Sequence, residues 1–277
     1  MSAPAFTAEF VERQYNNRAL VPDHAGIFAR WERDSQFVRE SLPCVLDIPY
    51  GAHERQRLDV FTVPDAVGTL VFIHGGYWRS LDRSMFSWLA AAWIAARVNV
   101  VMPSYRLCPG VRIDAIVDDA IAATNWVFES GAAHGLATAK VVLSGHSAGG
   151  HLTAAVFAAP RERLRFDPAR IVGGVPISGI FDFAPLQHFS FNSDFLLDGE
   201  AVRRLCLLDR APTIASPLVV AAGAAESDEF QRQSRELAAA WPRARLLLLP
   251  SLNHFTVVDA FAERGQPLYE STLALFS

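Results

Sequence analysis

Hydrophobic positions along the chain follow two alternating rhythms. "TLVFIH" (69–74), "VNVVMPSY" (98–105) and "AKVVLSG" (139–145) are short apolar runs rich in β-branched residues, the pattern of strands buried on both faces. "IVGGVPISG" (171–179), "SPLVVAAG" (216–223) and "ARLLLLP" (244–250) repeat it. "RLDVFTV" (57–63) alternates polar and apolar residues instead, which predicts a strand exposed on one face. Stretches of helical period lie between: about 84–97, 113–130, 148–158 and the amphipathic "SDEFQRQSRELAAAW" (227–241). The tail from about Pro267 predicts a closing helix. Buried strands alternating with helices predict an α/β fold, a mostly parallel central sheet with helices on both faces. No repeat or linker divides residues 1–277, so a single domain is expected. Residues 181–208 break the rhythm and read as a small cap or insertion above the strand C-terminal ends, where such sheets bind ligands.

Composition narrows the class. The chain has 277 residues, 51% of them hydrophobic, enough for a large core. Net charge is −4 and the basic residues are scattered, so no footprint for nucleic acid or an anionic membrane is present. The longest greasy stretch, "MFSWLAAAWIAA" (85–96), is too short to cross a bilayer, and the N-terminus lacks the apolar core of a secretory signal. A cytoplasmic location is therefore expected. Cys44, Cys108 and Cys206 are odd in number and form no C-x-x-C pair, and they read as buried free thiols. No cluster has metal-ligand spacing, so neither metal nor cofactor is expected, and the expected partner is a small-molecule substrate.

One junction carries chemistry. Gly145-His146-Ser147-Ala148-Gly149 follows a buried strand and opens a helix, the context in which G-x-S-x-G lifts a serine hydroxyl above a sheet edge. A capping serine in a tight turn is the alternative for the pentapeptide alone. His74-Gly75-Gly76 ends another buried strand and is of the type whose amides cradle an oxyanion. The candidate oxyanion donors are Gly75, Gly76 and Ala148. A serine needs a base, and the fold's chain order of Ser, acid, His selects His254, which follows the last predicted strand. The acid follows "PLVVAAG": Glu226 stands nearer the strand end, and Asp228 is the second choice, with helix capping as its other use. Tyr77 and Trp78 flank the oxyanion loop and read either as walls of an aromatic pocket or as simple loop packing. Phe189, Phe191 and Asn192 are further lining candidates from the insertion.

These residues resemble a known family. "QYNNRALVPDH" (14–24), "FIHGGYWRSLDRS" (72–84), "SGHSAGGHL" (144–152), "SGIFDFAPL" (178–186), "ESDEFQRQS" (226–234) and "NHF" (253–255) are similar to the arylformamidases (kynurenine formamidases) of the α/β-hydrolase fold, and more broadly to HGG-type esterases. Carried over, the resemblance makes Ser147 the nucleophile, His254 the base and Glu226 the acid, at a position where the family usually has aspartate. Arg106 stands where many relatives have aspartate, a departure expected to alter substrate preference. The implied reaction is hydrolysis of N-formyl arylamides, with N-formylkynurenine as the type substrate, and similar proteins are commonly homodimers. A carboxylesterase acting on short acyl esters uses the same triad and is the first rival. A non-catalytic binding module retaining the fold is the second.

Overall fold

A computed structural model describes residues 6–277. Eight strands form one sheet: β1 (Cys44–Pro49), β2 (Arg57–Phe61), β3 (Gly68–Ile73), β4 (Val98–Pro103), β5 (Val141–His146), β6 (Ile171–Ile177), β7 (Leu218–Gly223) and β8 (Ala244–Leu249). Their order is β1-β2-β4-β3-β5-β6-β7-β8. β1 and β2 pair antiparallel, as do β2 and β4; every other pair is parallel.

The helices are α1 (Ala8–Tyr15), α2 (Asn17–Leu20), α3 (His24–Ser41), α4 (Ala90–Ala95), α5 (Ile113–Glu129), α6 (Ala148–Phe157), α7 (Asn192–Phe195), α8 (Gly199–Leu205), α9 (Asp228–Ala240), α10 (Thr256–Phe261) and α11 (Pro267–Leu273). The two-residue period of a strand sends alternate side chains to opposite faces. In β3, Val71 and Ile73 join the core formed with α5 and α6, while Leu70 and Phe72 join the opposite core with α3, α4 and α10. Burial on both faces explains why the central strands are continuously apolar. None of the described helices is long and apolar enough to cross a membrane.

Three details depart from the sequence pattern. β2 is buried along nearly its whole length despite its alternation, because Asp59 is not solvated. It receives Arg83 Nε at 2.8 Å and the Asp47 amide at 2.9 Å, so a charge is accommodated inside. Residues 83–97 split into a 3₁₀ segment over Arg83–Leu89 and the short α4. Of the cysteines, only Cys108 is buried; Cys44 and Cys206 are half-buried, and all three are free.

The carboxyl ends of β3, β5, β6, β7 and β8 lie along one edge of the sheet. Each is followed within five residues by a group of the site: His74, Ser147, Ser178, Glu226 and His254. The cap stretch between β6 and β7 holds α7 and α8, and α1 packs against α9 and against the 3₁₀ turn at Pro185–His188.

Candidate active site

Ser147 sits between the end of β5 and the start of α6 with φ 56° and ψ −116°. A non-glycine residue at positive φ costs roughly 1–2 kcal/mol and persists only where its surroundings fix it. Here the Ser147 amide donates to Ile177 O at 2.8 Å, and His151 N donates to Ser147 O at 3.1 Å. A Cβ on Gly149 would collide with the Ile73 carbonyl, so α6 can approach the end of β3 only with glycine at that position. Ser147 is 3% exposed and lines the cavity described below.

The oxyanion loop lies beside it. A Cβ on Gly75 would stand 3.2 Å from the Ser147 Cβ. Gly76, Tyr77 and Trp78 have φ of 112°, 51° and 54°, three consecutive left-handed residues. Ser80 N and Ser80 Oγ, each at 3.0 Å from Gly76 O, and Cys108 N, at 2.8 Å from Trp78 O, hold this turn. The amides of Gly75, Gly76 and Ala148 donate to no protein acceptor among the described residues, which leaves them for a ligand oxygen. Beneath the loop, His74 stacks on Tyr105 at 4.3 Å, and the Tyr105 hydroxyl donates to His74 O at 2.9 Å.

Glu226 and His254 meet directly. His254 Nδ1 lies 2.7 Å from Glu226 Oε2, with both side chains nearly fully buried. An ionised carboxylate only accepts, so Nδ1 carries the proton and Nε2 is left as the acceptor. Glu226 Oε1 accepts from Ser178 Oγ and from the Gly223 amide, each at 2.6 Å. The His254 carbonyl accepts from His146 Nε2 at 2.7 Å. Burial, and then repulsion from the neighbouring His254, hold His146 well below the ordinary histidine range, so it is a neutral donor. Ser178 and His146 are positioning residues that sequence reasoning missed. His146 was visible only as the variable residue of the elbow, and Ser178 as the end of a strand.

Ser147 and His254 line one cavity together with Gly76 and Tyr77. No hydrogen bond joins the hydroxyl to the ring among the described residues; such bonds commonly tighten only with substrate bound. The cavity encloses about 670 Å³ including its open mouth, and its walls include Tyr15, Phe28, Trp31, Tyr77, Phe191 and Phe255.

Several expected site residues stand elsewhere. Asp228 is exposed in the first turn of α9, whose N-cap is Ser227, and the carboxylate that pairs with His254 is that of Glu226. Trp78 is fully buried against His151 and Phe183 and does not line the cavity, because the left-handed turn directs it inward. Asn192 is consumed locally: its side chain bonds Gln187 O, Leu197 O and Leu197 N. Phe189 packs between Tyr15 and Tyr77 behind the wall. Arg106 does not reach the site; it grips the buried carboxylate of Asp119, Nη2 to Oδ1 at 2.6 Å.

Sequence reasoning missed a larger contribution, the N-terminal segment. Tyr15, Asn16, Asn17 and Arg18 border the cavity. The Tyr15 hydroxyl donates to Glu229 Oε2 at 2.7 Å and receives Gln233 Nε2 at 2.5 Å. Arg232 bridges Glu229 to Asp182, and Gln233 Oε1 accepts the amides of Phe181 and Asp182. Burial would raise the Glu229 carboxyl, but hydrogen bonds from Arg232 and Tyr15 outweigh it and hold it below its usual range. The motif "ESDEFQRQS" thus supplies Glu226 to the imidazole and, one helical turn on, fastens α1 and the cap over the site.

A strand-end serine in an elbow, a carboxylate-held imidazole and free loop amides, on a mostly parallel sheet covered on both faces, are the arrangement of the serine hydrolases. A family model described as alpha/beta hydrolase fold matches residues 70–244, and the chain belongs to this family of hydrolases. It is 26% identical over 244 residues to a kynurenine formamidase of Salmo salar, an alignment spanning 83% of this chain and 81% of that one. A crystal structure from Silicibacter sp. tm1040, provisionally designated a thioesterase, superposes with a TM-score of 0.83 and 33% identity, covering 95% of this chain and 97% of that chain. A carboxylesterase of Mycobacterium tuberculosis is 33% identical over 116 residues, 42% of this chain and 34% of its own length.

Proposed function

We propose that the protein hydrolyses N-formyl arylamides, with N-formyl-L-kynurenine yielding L-kynurenine and formate. The observation that carries this reading is the aromatic cavity that Ser147 lines: Tyr15, Phe28, Trp31 and Tyr77 suit a flat aryl group. The likeness to kynurenine formamidases over most of the chain supports it.

In the proposed mechanism, Ser147 Oγ attacks the formyl carbon while His254 Nε2 takes the hydroxyl proton. The resulting oxyanion is received by the amides of Gly75, Gly76 and Ala148, an interaction in which each donor contributes about 3–4 kcal/mol to lowering the barrier. Glu226 fixes the imidazole tautomer and stabilises the imidazolium. The tetrahedral adduct collapses, the C–N bond breaks, and His254 returns the proton to the aniline nitrogen. Water, deprotonated by His254, then cleaves the formyl-serine to formate and restores the serine.

A carboxylesterase reading is favoured by one observation, the identity to a mycobacterial carboxylesterase. The deciding measurement is kcat/KM for N-formylkynurenine against p-nitrophenyl acetate. The formamidase reading expects the formamide to be preferred, and a strong ester preference would overturn it.

A further inference from the structure

The charge lining the cavity is one-sided. Two guanidiniums, Arg18 and Arg79, border it, and no aspartate or glutamate does among the described residues. The Arg79 charge is already matched: its Nη2 lies 2.6 Å from Asp194 Oδ2, and its guanidinium stacks 4.2 Å above the Phe191 ring. Arg18 makes no ion pair and donates no side-chain hydrogen bond among the described residues. Its guanidinium rests over the Phe28 ring at 5.7 Å; Arg18 is exposed, and it borders the same cavity as the buried Ser147.

The backbone beneath Arg18 is fixed to the catalytic loop. The Tyr77 hydroxyl donates to Tyr15 O at 2.5 Å and receives Asn17 Nδ2 at 3.4 Å. Asn16 Oδ1 caps the turn by accepting Ala19 N at 3.2 Å. The backbone that carries Arg18 is thus tied to the residue next to the oxyanion amides, which keeps this arginine at the border of the same cavity. A guanidinium offers a planar fork suited to a carboxylate.

We propose that Arg18 is a specificity-determining residue that receives a carboxylate at the distal end of the substrate, so that the site selects substrates with an anionic leaving-group arm over those with a neutral one. This deepens the proposed function and rests on it for the identity of the substrate: the amino-acid arm of N-formylkynurenine ends in such a carboxylate. The preference for an anionic tail stands on the cavity's charge alone.

Two matched substrate pairs separate the claims. One is desamino-N-formylkynurenine, which lacks the α-ammonium and is anionic, and its neutral carboxamide, read by formate release. The other is 4-(2-acetoxyphenyl)-4-oxobutanoate, an ester with its carboxylate on the same leaving-group arm, and its neutral carboxamide, read by acetate release. In wild type, kcat/KM should favour the anionic member of each cleaved pair by about tenfold, mainly through KM. Arg18→Gln should bring that ratio close to one, and Arg18→Lys should retain part of it. Added salt should erode the wild-type ratio and leave that of Arg18→Gln flat. A ratio near one in wild type, or one unchanged by Arg18→Gln, overturns the assignment. Cleavage of the ester pair alone, with an Arg18-dependent ratio, sinks the formamidase reading and supports Arg18. Cleavage of the formamides with no charge preference does the reverse.

Discussion

The sheet edge and the roof above it are built on different principles. At the edge, Ser147, Glu226 and His254 are held mostly by backbone: a left-handed elbow, the Gly223 amide on the carboxylate, and a neutral histidine on a carbonyl. In the roof, α1 and the cap stretch are fastened to α9 through long side chains, Tyr15 to Glu229 and Gln233 and Arg232 to Asp182. On the proposed function, the edge fixes what reaction occurs and the roof shapes what enters. Substitutions at the edge should therefore act on kcat, and those in the roof on KM.

The largest expected effect is at the proposed nucleophile. Ser147→Ala should lower kcat by about 10⁴-fold or more and abolish fluorophosphonate labelling. Residual labelling would place the nucleophile elsewhere. Next comes the acid. Glu226→Gln keeps the shape but disturbs the imidazole tautomer, so kcat should fall by about 10³–10⁴-fold, whereas Asp228→Ala should leave it nearly unchanged. The reverse ranking would move the acid to Asp228. Ser178→Ala removes one of the two donors to Glu226 Oε1, and kcat should fall about tenfold with KM steady. A change confined to KM would show that Ser178 merely packs.

Smaller effects are expected from the roof. Tyr15→Phe deletes the hydroxyl shared by Glu229 and Gln233. It should raise KM severalfold and lower stability by about 1–2 kcal/mol, with kcat little altered. Equal losses in kcat and kcat/KM would break the contrast between edge and roof.

The last effect is on acid stability, and it belongs to the edge. Burial holds His74 at about 4 and His151 at about 3, and His146 is also depressed. In the unfolded chain all three take up protons near pH 6.5. Between about pH 6.5 and 4 the unfolded state therefore binds more protons, and stability falls as pH drops through that window. Urea midpoints taken from pH 7 to 4.5 should decline steadily; a flat or rising series contradicts the buried neutral rings.

The edge was more legible in the sequence than the roof. Each edge group closes a strand, so short-range signals mark it: two glycines round Ser147, a His-Gly-Gly after β3, and an Asn-His-Phe after β8. The acid stayed ambiguous because Glu226 and Asp228 are two residues apart, and only the folded turn separates a strand-end carboxylate from an exposed one on a helix. The roof depends on contacts such as Tyr15 to Glu229, 214 residues apart, which no local pattern encodes. The two readings of Trp78, pocket wall or loop packing, stayed open for the same reason, and Asn192 was misplaced, since backbone sign and loop closure decide where they point. α3 is a different kind of miss. Ile27, Trp31, Ser35 and Val38 share one buried face at helical spacing, a signal that was available and went unread.

The tight approach of α6 to the end of β3 at Gly149 has an evolutionary consequence. Because backbone seats against backbone there, the separation of nucleophile and oxyanion loop is independent of which side chains line the cavity. Descendants of this scaffold can exchange Arg18, Phe28 or Phe191 and acquire new substrates while the reacting atoms keep their places. Diversification is then cheapest in the first thirty residues and the cap, and most constrained where two strands end beside a glycine.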